Sequence, residues 1–138
     1  MLAPLIHAHK GLAYLVFALA LIGLVLGLAG AGGDRGRAAM LDRVHRIGLL
    51  NVGRLNLVLG IALAFMVHAE GRLSLWLGLL LWAPIEIVGK RMVTAPLRQA
   101  MAGEHRANPV RIGTLIQFVV IAAIYGLMTL SRMGKLGF

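Results

Sequence analysis

Residues 11–32 read GLAYLVFALALIGLVLGLAGAG, twenty-two consecutive positions without a charged side chain. The hydrocarbon core of a bilayer takes about 20 mostly apolar residues per helix, so this run alone places the chain in lipid. Extended outward, the same criterion finds three more runs, at 47–68, 73–94 and 112–131. None alternates apolar and polar residues as a half-buried strand would, and a helix satisfies its own backbone groups where water is absent. The expected fold is all-α: one integral membrane four-helix bundle over residues 1–138. The first run is longer than the apolar core of a signal peptide and is expected to be a retained helix.

Composition agrees with that fold. The chain has 138 residues, 59% apolar and 14% charged, with a mean hydropathy of +0.86. Soluble domains hold roughly 45–50% apolar and about a quarter charged residues, and a fold of this length in water could not bury the excess. Soluble-enzyme, disordered and disulfide-rich secreted classes are excluded. There is no cysteine, which excludes disulfides, thiolate chemistry, iron–sulfur clusters and cysteine-linked haem. No phosphate loop, serine elbow or metalloprotease helix occurs, so no catalytic residue stands out.

The net charge of +9 does not point to nucleic acid, because the basic residues fall between apolar runs. There they orient the chain in the membrane. Arg35, Arg37, Arg43, Arg46, Lys90, Arg91, Arg98, Arg106 and Arg111 lie in the first and third connections; Lys10, Arg72, Arg132 and Lys135 lie on the opposite side. The bias puts both termini outside, in the periplasm if the membrane is a bacterial inner membrane. The short connection at Ala69-Glu70-Gly71 makes the second and third helices an antiparallel hairpin, within an up-down bundle. Leu97–Arg106 is either a short basic surface helix or a solvated connector. Gly23 with Gly27, and Gly60 with Ala64, offer close-packing spacings, and Pro84 is expected to kink the third helix.

Polar groups at membrane depth are costly unless paired. Arg54, Glu86 and Gln117 come from three helices and fall at one depth, about 6–10 Å from the inner face at 1.5 Å per residue. The expected structural polar layer is an Arg54–Glu86 ion pair capped by Gln117, with Asn51 one turn away. Arg54 snorkelling to the interface, or Glu86 pairing with Lys90, are the alternatives. Asn51, Arg54, Val58, Ile61, Phe65 and His68 share one helical face, which is expected to point into the bundle.

Three histidines gather on the outer side: His7 and His9 before the first helix, and His68 closing the second. Two imidazoles on facing helices can hold a haem iron between apolar walls, in a cavity expected beside His68 and Phe65. His7 and His9 are two residues apart, so at most one faces the bundle centre. His45 and His105 are expected in inner loops. Tyr14 and Trp76 match an interfacial aromatic belt.

Three short patterns, Leu5-Ile6-His7, Met40-Leu41-Asp42-Arg43 and Trp76-Leu77, resemble in order and placement the small four- to five-helix membrane proteins of the CopD, HemJ and SirB types. The resemblance spans most of the chain. In HemJ-type members an outer histidine and a lysine of the third helix go with haem binding, which would make His7 a ligand here. Leu80 stands roughly where that lysine is expected, leaving His68 as the second ligand. The leading expectation is a redox-linked bundle binding b-type haem through His7 or His9 and His68. The alternatives are an accessory or scaffold subunit of a membrane complex and a small transporter using Glu86 as a proton-coupled carboxylate; the expected partners are the lipid bilayer and either other membrane subunits or further copies in a homo-oligomer.

Overall fold

The structure is a computed structural model that describes residues 2–30, 33–67 and 73–132. Four helices account for nearly all of them. α1 is Leu2–Leu28, α2 is Arg35–Met66, α3 covers residues 73–101 and α4 is Ala107–Arg132. Both central helices carry a π-helical stretch, Arg43–Leu50 in α2 and Gly89–Thr94 in α3. Leu2–Leu28, Arg35–Met66 and Ala107–Leu130 are long and apolar enough to cross a membrane. In α3 the apolar α-helical part, Leu73–Val88, is 16 residues long before the π-helical stretch begins.

The helices outrun the apolar runs that announce them. α1 starts nine residues before Gly11, so His7 and His9 are inside it rather than ahead of it. Pro4 does not stop it, because N–H groups in a first turn have no intrahelical partner to lose. The first basic connection is helical too. Its Arg, Ala, Met and Leu residues favour helix, and it buries Ala38, Leu41, His45 and Leu49 on one stripe. The inner end of α3 continues through Ala95–Met101, so the segment from Leu97 splits between helix and connection. α1 ends where Gly30 takes φ +88°, a left-handed cap open to glycine, and Arg37 Nη1 donates to the freed carbonyl of Ala29 at 2.8 Å.

α1 packs on α2 and α4, and α4 packs on α3. The ring is loosest between Asn51–Met66 and Leu73–Val88. Four layers stack along it. At the end away from the start of α1 and the finish of α4, the expected inner end, Ala38, Leu41, Val93, Leu97, Ala100 and Val110 form an apolar cluster. A polar layer follows, then a second apolar cluster of Val16, Ala20, Leu49, Leu50, Trp82, Ile85 and Ile121. The fourth layer, at the end where α1 starts and α4 finishes, is a chamber, named outer after the topology expected from the basic residues.

The face of α2 that enters the bundle is not the one its polar residues suggest. Asn51, Arg54, Val58 and Phe65 are exposed, while Gly53, Leu63 and Ala64 are buried. Small residues decide the register: a Cβ at Gly53 would run into the Trp82 ring. Close approach of backbones outweighs the placing of one arginine.

Candidate functional site

The outer chamber has a volume of about 500 Å3 and is walled by all four helices. Its walls are mostly apolar, and its floor is the Trp82–Ile121 layer. Among the described residues one imidazole lines it, that of His9. Antiparallel packing levels His9 with Met128 and Thr129 of α4, just as it levels Tyr14 with Tyr125 at a ring separation of 6.1 Å. His9 lies against Gly60, where an added Cβ would come within 2.8 Å of its Cε1. Met128 fills the matching place against Gly78.

His9 also faces Asn56. The Nδ1 of His9 and the Oδ1 of Asn56 are both buried, and among the described residues neither meets a partner at full hydrogen-bond geometry, although the imidazole and the Asn56 side chain stand near enough to interact. Buried polar atoms are rarely left unpaired. An imidazole that donates its Nδ1–H to an amide oxygen keeps its Nε2 lone pair free for a ligand.

The expected haem residues separate. His7 is exposed, so of the two histidines on α1 only His9 reaches the chamber. His68 lies outside the described residues. Phe65 is exposed and does not line the chamber; the cavity expected beside it opens one helical face away, beside Gly60 and Asn56. No group of three or more His, Asp or Glu is placed to hold a metal ion among the described residues.

The polar residues at depth form two separate arrangements instead of one layer. Arg54 grips Glu86 in a fork, Nε to Oε1 at 2.8 Å and Nη2 to Oε2 at 2.7 Å. Trp82 Nε1 donates to the same Oε1 at 3.0 Å. The pair bridges α2 and α3 on the outside of the bundle, with side chains 53% and 31% exposed. Gln117 does not cap it, and Asn51 is exposed.

Gln117 belongs to a buried layer with His45, Asp42 and Thr114. His45 is 2% exposed, far from the loop position expected of it. Gln117 Nε2 donates to the carbonyl of Ile85 at 3.0 Å and stands 2.9 Å from His45 Nε2. A carbonyl only accepts, so the amide must present its NH2 there, and its second hydrogen goes to His45 Nε2. The imidazole is therefore neutral with its proton on Nδ1, which is buried without a partner among the described residues, as is Asp42 Oδ1. Gly89 makes room for this contact: a Cβ there would stand 2.8 Å from Gln117 Nε2 and 3.1 Å from the His45 ring.

His45, Asn56 and Trp82 are the site residues that sequence reasoning missed. Leu41, His45 and Leu49 repeat every fourth residue, a helical stripe hidden by reading the arginines as a loop. Gly53, Asn56 and Gly60 form the corresponding stripe higher in α2. Comparison of the chain with family models, characterised proteins and solved structures finds no match.

Proposed function

We propose that the chain is a multi-pass protein of a bacterial inner membrane, crossing it four times with both termini outside, and that its outer chamber holds a b-type haem on His9. Residues 73–94 span roughly 33 Å as helix, enough for α3 to serve as the fourth crossing. The observation that carries the haem reading is the apolar chamber between four helices with one imidazole on its wall among the described residues, and with the Asn56 side chain beside that imidazole. His9 is the residue that would bind iron, Asn56 would hold the ring by its Nδ1–H, and the apolar walls would exclude water. A haem bound there supplies one-electron chemistry. The resemblance to HemJ-type proteins supports an outer histidine of the first helix in this role; geometry favours His9 over His7.

The test is the absorption spectrum of protein purified in mild detergent after haem supply. A Soret band is expected in the native chain and in His7→Ala, and its loss in His9→Ala. A band that survives His9→Ala, or a clean spectrum in the native chain, overturns the assignment.

The subunit alternative draws support from one feature, the half-exposed ion pair at membrane depth, which calls for a cover. The transporter alternative draws none, because both carboxylate oxygens of Glu86 are engaged.

A further inference from the structure

We infer that the face carrying Arg54 and Glu86 is where two copies of this chain meet. Arg54 lies twelve residues before Met66 and Glu86 thirteen after Leu73, about 18 and 20 Å from the outer helix ends. In a hydrocarbon layer about 30 Å thick that depth is inside lipid. Charged groups there are held toward protein or water, not toward acyl chains. Yet more than half of the Arg54 side chain is uncovered. It cannot reach for the interface, because its Nε and Nη2 are bound to Glu86. Among the described residues Nη1 makes no hydrogen bond.

A second copy supplies the missing groups by symmetry. Copies in one membrane share an orientation, so a closed pair is related by a twofold axis along the membrane normal. Such an axis keeps depth and reverses left and right across the contact, which sets residue i against j and j against i. Arg54 of each copy then stands opposite Glu86 of the other, turning two ion pairs into a ring of four alternating charges. The surroundings permit the approach: Asn51, Val58 and Ala83, one turn away on the same faces, are exposed, and Ala83 is small. An interface built of an apolar rim and a shared polar centre fits association in lipid, where hydrogen bonds and close packing replace the hydrophobic effect. The inference is independent of whether the chamber holds haem.

The chain has no cysteine, so single cysteines report the contact directly. Because α2 of each copy faces α3 of the other, the two Val58 positions lie diagonally across the contact, and Val58→Cys is expected to be joined into a dimer in native membranes by a flexible bismaleimide long enough to span that diagonal. Val119→Cys, exposed on α4, is expected to stay monomeric. The decisive arm uses two differently tagged chains, Arg54→Glu and Glu86→Arg, each also carrying Val58→Cys. Expressed alone, each sets like charges against like and loses the dimer band. Expressed together they restore opposite charges across the interface, although each chain's internal pair stays broken, and the mixed dimer returns. A Val58→Cys chain that remains monomeric, or links no better than Val119→Cys, overturns the inference and leaves lipid or another protein as the cover. So does a mixed pair that gives no dimer while both chains reach the membrane in native amount.

Discussion

Replacing Gln117 by leucine would strand one buried acceptor, Nε2 of His45, and remove the side-chain donor from the carbonyl of Ile85. An unpaired buried polar group costs about 1–3 kcal/mol, so Gln117→Leu is expected to destabilise by about that amount, read as a lowered unfolding midpoint in detergent. Adding His45→Leu removes the stranded acceptor and is expected to recover part of the loss. An unchanged midpoint in the single variant would contradict the geometry. Trp82 has two jobs that can be separated. Trp82→Phe keeps a ring against Gly53 but removes the donor to Glu86, a bond to a charged group worth about 1.5–3 kcal/mol. Gly53→Val does the opposite, forcing methyl groups into the ring, and overpacking of that kind costs about 1–3 kcal/mol. Combining Gly53→Val with Trp82→Leu should relieve much of that strain; equal damage in the single and combined variants would show that the ring is not what Gly53 accommodates.

At the scale of the element, the existence and order of the four helices were legible in the apolar runs, and their rotation was not. The partnership of Arg54 with Glu86 followed from depth counting, which needs only the rise per residue. Which way the pair faces depends on how closely α2 can approach its neighbours, and that is decided by Gly53, Gly60 and Ala64 through contacts no single sequence displays. His45 was hidden for a different reason. Four arginines around it read as a loop, although a helix entering the membrane can carry its charges on one stripe and its apolar residues on the other. The internal pair has its own test, the exchange Arg54→Glu with Glu86→Arg in one chain. Losing one partner should cost more than the ~0–1 kcal/mol of an exposed pair and less than the ~3–5 kcal/mol of a buried one. The exchange should recover most of that loss, measured by the same unfolding midpoint; an exchange as damaging as either single change would argue that these charges act separately.

For the whole molecule, the expectation rests on nine basic residues facing four across the bundle. A reporter fused after Phe138 should register an outside location, and an inside signal would invert every assignment of outer and inner made above. The two ends of the bundle should also differ in firmness. Inward of Trp82 the helices are joined by two apolar clusters and the His45–Gln117 contact; outward of it they surround a void of about 500 Å3. Amide exchange should therefore be faster in residues 57–66 than in 41–50, since local opening follows sparse packing. A uniform exchange rate along α2 would count against the layered description.

The slack contact between Asn51–Met66 of α2 and Leu73–Val88 of α3 has one more implication. If the bundle sits in lipid and the chamber binds as proposed, its loosest wall would face acyl chains, and its occupant would enter from the bilayer rather than from the aqueous phase. Occupancy would then follow the mole fraction of ligand dissolved in lipid, so a titration reported in bulk molarity would shift whenever the amount of detergent or lipid changed. Binding to this protein would be a two-dimensional equilibrium, and the membrane would be both its solvent and its reservoir.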